Sequence, residues 1–323
     1  MPDTPSSRSF PPAAGARLGW AELPPSVRSG IEHQLGSKVV RAISQPSGFS
    51  PGAALRLQLA DRRRAFVKAV GSEPNPGSPQ LHRQEALRLA QLPRTAALPR
   101  LLGVHDDGDW VAVILEDVDG RHPYLPWRLE ELARVLNALE ELQAQFTPCP
   151  VKDLPNVVDL HQESFVGWRN LLEDGSPPGI DPWADRNLGR LATRESRWPE
   201  AISGDTLLHS DLRADNLLLT RSGSVVFLDW PSACCGTSWF DPLVMAPSVA
   251  MQGGPDPEWI VQHHSGARNA DPEKITTLVV ALAGYFVRSS LLPAPPGLPT
   301  LRRFQGAQGK AALEWAAART NWS

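Results

Sequence analysis

Several classes of protein are excluded by what this chain has little of. Cysteine is scarce: Cys149, Cys234 and Cys235 make neither a disulfide framework nor a metal-binding spacing. Such usage fits a reducing compartment, so a cytoplasmic location is expected, and the adjacent Cys234 and Cys235 read as buried thiols. Excess positive charge is missing too: the formal net charge is −3, which leaves no basic footprint for nucleic acid. The most apolar helix-like stretch, residues 275–287, is too short for a membrane span and Arg288 follows it. Residues 1–15, rich in Pro, Ser and Ala, lack the apolar core of a signal peptide. The eight histidines form no metal set, and His263-His264 reads as surface. A Walker phosphate-loop pattern is absent, as is any internal repeat.

What remains is an ordinary soluble composition, 41% hydrophobic and 21% charged over 323 residues. That suffices for a sizeable core in one two-lobed unit or in two domains. One stretch, residues 207–230, packs three polar anchors into an apolar frame: Asp211, Asn216 and Asp229. Apolar runs at 217–219 and 225–228 flank Arg221-Ser222-Gly223-Ser224, a Gly-containing link that predicts a β-hairpin. A hairpin returns the chain on itself, so Asp229 is expected beside Asn216. A carboxylate and a carboxamide oxygen are hard ligands suited to Mg²⁺ that also holds phosphates. Asp211 would stand near that metal, free to accept a proton from a hydroxyl. An Asp or Asn alone commonly caps a turn; three in this order and spacing point to chemistry.

The form His209-Ser210-Asp211, with Asn216 and then Asp229-Trp230, resembles the catalytic loop and metal-binding segment of protein-kinase-like enzymes. Within them it looks like the aminoglycoside phosphotransferase and choline kinase-like branch. Protein kinases normally carry His-Arg-Asp and Asp-Phe-Gly there, from which Ser210 and Trp230-Pro231 depart. The resemblance implies an α+β, two-lobed fold, with an antiparallel N-lobe sheet and one main helix, and a mainly helical C-lobe. The expected divisions are a disordered tail at 1–17, an N-lobe at 18–116, a hinge at 117–120 and a C-lobe at 121–323.

Along the chain, Leu23-Pro24-Pro25-Ser26 predicts a helix start, with Val27, Ile31 and Leu35 on one face and Gly36 as the stop. Strands are expected at 39–43, 54–59, 65–70, 101–104 and 110–115, and a helix from 78 to about 92. Gly48, Phe49, Ser50 and Gly52 lie between the first two strands, where glycine lets backbone N–H groups approach phosphates. Lys68 lies mid-strand and Glu85 mid-helix. The resemblance implies that Lys68, paired with Glu85, binds the α/β-phosphates, and that Glu116 C=O and Val118 N–H meet adenine. Leu129, Leu132, Val135, Leu136, Leu139, Leu142 and Phe146 recur as a buried helical stripe. Further helices are expected at 160–172, 184–201, from Asp241, and at 256–265, 272–292 and 300–319. By resemblance Asp241 braces the catalytic loop, and His209 supports its backbone. The tryptophans read as core packing.

Together these features predict an ATP- and Mg²⁺-dependent O-phosphotransferase acting on a hydroxyl of a small molecule, with Asp211 as the base and Asn216 and Asp229 as the metal ligands. No nucleic-acid or membrane partner is expected, and the state is monomer or homodimer. Acceptors of the family include aminoglycosides, peptide antibiotics, choline, homoserine and sugars. An acidic balance in residues 147–205 mildly favours a cationic acceptor, such as an aminoglycoside, alongside kinases of primary metabolites. A protein kinase fits less well, for no Ala-Pro-Glu follows Asp229. A nucleotide-binding scaffold is the reading from another class, and Mg²⁺-dependent ATP turnover separates it from an enzyme.

Overall fold

The computed structural model describes residues 10–13, 17–46, 48–49 and 51–323. Pro25 opens α1 (Pro25–Leu35), where a missing N–H costs no helical bond, and Val27, Ile31 and Leu35 form its buried face. Then come β1 (Val39–Ser44), β2 (Ala53–Leu59), β3 (Arg64–Val70), α2 (Ser78–Gln91), β4 (Leu101–Asp106) and β5 (Val111–Leu115). The strands form one antiparallel sheet in the order β1-β2-β3-β5-β4. Side chains alternate across a strand. Leu55, Leu57, Val67 and Ala69 therefore pack under α1, while Val111, Val113 and Leu115 join a second core that includes Ala86 and Leu89 of α2. The same alternation turns Lys68 away from Val67 and Ala69, toward α2.

The rest of the chain is mainly helical. It comprises β6 (Gly120–Arg121), α3 (Leu129–Gln145), α4 (Val157–His161), α5 (Gly167–Asp174), α6 (Pro182–Arg186), α7 (Leu188–Glu195) and α8 (Trp198–Ala201). After β7 (Thr206–Leu208), β8 (Leu217–Thr220), β9 (Val225–Phe227) and β10 (Cys234–Gly236) come α9 (Phe240–Met251), α10 (Pro257–His263), α11 (Ser265–Arg268), α12 (Pro272–Ser290) and α13 (Leu301–Thr320). The fold is α+β and two-lobed. Trp168, Trp198 and Trp230 are fully buried, as the packing role expected of tryptophan requires. Where α5 crosses α12 the backbones nearly touch: a Cβ on Gly167 would stand 2.0 Å from Gly284 O. Glu195 meets the N-terminus of α5 there, its carboxylate accepting from Trp168 N at 2.9 Å and Arg169 N at 3.0 Å.

Several expectations need correction. The tail expected at 1–17 falls partly outside the described residues, but its last part is engaged: Ala13 O accepts from Gly48 N, and Arg17 bridges Gly52. Leu129, first residue of α3, is 53% exposed and stands outside the buried stripe. The helix expected at 160–172 is split into α4 and α5. That expected at 184–201 is three short helices, two of which begin at or beside prolines, Pro182 and Pro199. The stretch at 256–265 breaks at His264, which is buried and accepts from Ala267 N while its Nε2 meets Gln143. Cys234 is buried and Cys235 half-buried, in an unforeseen strand, β10, that pairs with β7.

Candidate active site

The hairpin of β8 and β9 pairs Leu217 with Phe227, and Leu228 N donates to Asn216 O at 2.8 Å. Asn216 and Asp229 therefore flank the open end of one hairpin. Asn216 Nδ2 donates to Asp211 O at 2.8 Å. With its nitrogen so engaged, the carboxamide has its Oδ1 as the remaining ligand atom. An amide oxygen and an ionised carboxylate fit Mg²⁺ chemically. Among the described residues no group of three His, Cys, Asp or Glu could hold a metal unaided, so these two would need phosphate oxygens to complete the shell.

Lys68 Nζ donates to Glu85 Oε1 at 2.7 Å and to Asp229 Oδ1 at 2.8 Å. Burial disfavours the ammonium, but the charges of Asp229 and Glu85 outweigh it and raise the Lys68 pKa. Burial likewise opposes the Asp229 carboxylate, yet Lys68, followed by Arg213, holds it well below the usual range. Glu85 shifts the other way: its burial, aided by the negative charge of Asp229, exceeds the attraction of Lys68 and raises its pKa. The opposite shifts have one origin, a single ammonium shared by two enclosed carboxylates.

The loop between β7 and the hairpin is held from behind. Asp241, in the first turn of α9, accepts from His209 N at 2.8 Å and Ser210 N at 2.7 Å. His209 Nε2 donates to Leu228 O at 2.6 Å, and its Nδ1 accepts from Asp211 N at 3.2 Å. Burial lowers its pKa, so the ring is neutral and ties the loop to the hairpin end. Ser210 and Asp229 adopt φ of 69° and 68°, a left-handed backbone that residues other than glycine seldom take outside functional turns.

Asp211 opens to the cleft with its side chain 42% exposed. Enclosure by the surrounding protein raises its pKa to about 6, against the attraction of Arg213. Arg213 Nη1 donates to Asp211 Oδ1, while its Nε and Nη2 fork onto Asp215 at 3.1 Å each.

The loop from Gly48 to Gly52 reaches over this centre. Gly52, at φ 93°, approaches β3 so closely that a Cβ would stand 2.3 Å from Ala69 O. Phe49 packs edge-on against Phe304 of α13 with centroids 5.1 Å apart, and the Arg213 guanidinium lies 5.4 Å from the Phe49 centroid. Ser50 lies outside the described residues. At the hinge, Glu116 N donates to Arg100 O at 2.9 Å and Val118 O accepts from Arg56 at 3.2 Å. These bonds use the groups opposite to those expected to meet adenine. Asp117, paired with Arg56 at 3.4 Å and Arg64 at 2.9 Å, ties the hinge to β2 and β3.

Sequence reasoning missed three contributors. The Arg17 guanidinium, its pKa lowered by burial, sits in the fields of Asp229 and Asp215; a lone Arg in a Pro- and Ala-rich segment carries no signal of this. Tyr285 on α12 accepts a 3.4 Å hydrogen bond from Gln305 and senses Asp211, its pKa raised by burial and then by that charge. His161 on α4 meets Ser210 Oγ at 2.6 Å. The last two contacts join segments far apart in sequence.

With this geometry in place, comparison with known proteins identifies the group. A model of the phosphotransferase enzyme family matches residues 46–278. The chain belongs to that family. No curated protein matches it by sequence. Solved structures share the fold. An aminoglycoside phosphotransferase in ternary complex with ADP and hygromycin B is 12% identical, with 92% of this chain and 100% of that chain covered and a TM-score of 0.60. A choline kinase from Streptococcus pneumoniae is 14% identical over 90% and 98% of the two chains, TM-score 0.57. An aminoglycoside phosphotransferase from Alicyclobacillus acidocaldarius is 16% identical over 88% and 92%, TM-score 0.52. Among the described residues no helix is long and apolar enough to cross a membrane.

Proposed function

We propose that this phosphotransferase moves the γ-phosphoryl group of ATP, with Mg²⁺, to a hydroxyl of a small molecule. The observation that carries the reading is the convergence of Lys68, Asp229, Asn216 and Asp211 on one cleft. Lys68, steadied by Glu85, would bind the α/β-phosphates, and the Gly48–Gly52 loop would cover them. Glu116 and Val118 would meet the adenine. Asn216 and Asp229 would hold Mg²⁺, which when bound neutralises phosphate charge. Asp211 would orient the acceptor hydroxyl and take its proton, and Arg213 keeps that carboxylate ionised near neutral pH. The complexes with ADP, hygromycin B or spectinomycin known for proteins of this fold are consistent with a nucleotide beside a polyhydroxy acceptor.

The structure bears on the acceptor. Some of the acids counted in residues 147–205 are engaged within the fold: Asp174 pairs with Arg288, Asp181 caps α6, and Glu195 meets the N-terminus of α5. Near Asp211, Arg213 is already matched by Asp211 and Asp215, which leaves Arg302 as a further positive group acting on Tyr285. This favours a neutral or weakly charged hydroxyl compound, such as a sugar, an amino alcohol or a homoserine-like metabolite, over a polycationic aminoglycoside. A panel of both acceptor types incubated with Mg²⁺-ATP and read by mass spectrometry tests it; transfer confined to polycations would overturn the preference.

A further inference from the structure

Ser210 is the residue on which the aim of Asp211 depends. It precedes Asp211 directly and holds φ at 69°, a conformation that glycine adopts freely and serine resists. Two contacts, besides a side-chain hydrogen bond with Cys234 of β10, oppose its relaxation. Its N–H donates to Asp241 Oδ1 at 2.7 Å, and its Oγ lies 2.6 Å from His161 Nε2. The first restrains only the backbone hydrogen; the second restrains the side chain, and so the orientation of the Cα–Cβ bond. Ser210 is buried, so a hydroxyl that loses His161 keeps only the weak sulfur partner, Cys234.

His161 is itself rigidly placed. It ends α4, whose entry is fixed by Asn156: the Asn156 side chain accepts from Val158 N at 2.9 Å and its backbone bridges Cys235 of β10. The imidazole stacks on Phe165, centroids 4.9 Å apart and planes at 11°, and packs at 5.5 Å against Phe240 in the first turn of α9. Burial pushes its pKa down to about 4, so near pH 7 it is a neutral hydrogen-bond partner. Phe240 is followed by Asp241, so the His161 and Asp241 clamps on Ser210 share one wall of the core.

We propose that His161 is a positioning residue for phosphoryl transfer: by gripping the Ser210 hydroxyl it holds the left-handed turn that points Asp211 at the acceptor. It touches no substrate and acts through Ser210. The inference rests on the assignment of Asp211 as the base. It also explains how a serine stands where the turn favours glycine.

The experiment is a double-mutant cycle, read as Mg²⁺-dependent ATP turnover with water as the acceptor, with ADP affinity measured by calorimetry. In the Ser210 background, His161→Ala lowers kcat by about tenfold while KM for ATP and ADP affinity stay within about twofold. In the Ser210→Gly background the same change costs less than about twofold, because glycine needs no side-chain grip. His161→Asn, which keeps a hydrogen-bonding group, retains more of kcat than His161→Ala. An equal loss in both backgrounds, or a loss expressed in KM for ATP, overturns the proposal. If His161→Ala fails to fold, His161→Asn and the pair built on Ser210→Gly carry the test, and failure of the pair to fold as well shows a purely structural role. Asp211→Asn serves as the control. Unchanged turnover in that variant defeats the base assignment itself, whereas a large loss there with none in His161→Ala defeats this inference alone.

Discussion

Lys68 Nζ stands 2.8 Å from Asp229 Oδ1, a contact that spans 161 residues of sequence and joins the middle of β3 to the end of the β8–β9 hairpin. Before nucleotide enters, the cleft's central cation and the carboxylate expected to hold the metal neutralise each other. Phosphates and Mg²⁺ arriving together would replace that pairing without leaving a bare charge. Lys68→Ala is therefore expected to lower kcat/KM for ATP by about two orders of magnitude, as ~3 kcal/mol of lost charge-assisted contact implies. Steady-state kinetics with ATP varied checks this, with circular dichroism to verify the fold. An effect below about threefold would remove Lys68 from the phosphate site.

The brace behind the catalytic loop makes a prediction about stability. Asp241→Ala leaves two enclosed donors, His209 N and Ser210 N, without their acceptor. Each such orphan costs about 1–3 kcal/mol. The variant should lose about 2–5 kcal/mol in urea unfolding, and its remaining folded fraction should turn over ATP slowly. Asp241→Asn keeps one acceptor oxygen and should fall between.

Gly167 tests the packing of the larger lobe. Its missing Cβ allows the approach to Gly284 O, and backbone on both sides leaves no flexible tip to yield. Gly167→Ala should cost about 1–3 kcal/mol or more, seen as a lower Tm with no selective change in ATP affinity. A variant as stable as the parent would mean that the α5–α12 crossing readily shifts.

How much of this was legible in advance depended on the range of the interaction. Proline and glycine at the ends of α1, the alternation of β2 and β3, and the Gly223 link of the hairpin act within a few residues, and the reading followed them. The stretch of α6, α7 and α8 reads as one helix only when Pro199 and the stop at Asn187 are passed over, and both break the run locally. Lys68 and Glu85 were legible as a pair only through a resemblance to known enzymes; nothing local to either residue announces the other. Arg17, His161 and Tyr285 had no local pattern at all. Their roles arise where the tail, α4 and α12 meet the loop in space. The acidic balance of residues 147–205 is a count of charge alone, and does not show which carboxylates cap a helix or pair with an arginine, as Asp181 and Asp174 do.

Asp211 makes a prediction about pH. Enclosure raises its pKa to about 6, above the unfolded value of ~3.9. The folded chain thus binds this proton more tightly than the unfolded chain does. The group's contribution to stability falls as pH rises from about 4 to 6 and is constant above. Carbon-13 NMR of aspartate-labelled, metal-free protein should show one carboxyl titrating near pH 6 that is absent from Asp211→Asn. A titration at or below pH 4 would mean that Arg213 dominates the site.

The central claim is that Asp211 serves an acceptor hydroxyl in Mg²⁺-dependent transfer from ATP. The most direct measurement incubates the protein with Mg²⁺-ATP and a panel of hydroxyl compounds, following phosphorylated product by mass spectrometry alongside ADP. The account predicts one product per ADP formed, dependence on Mg²⁺, and a loss of about 10²–10⁴-fold in Asp211→Asn with ADP affinity retained. Tight nucleotide binding without Mg²⁺-dependent turnover, or transfer undiminished in Asp211→Asn, would contradict it.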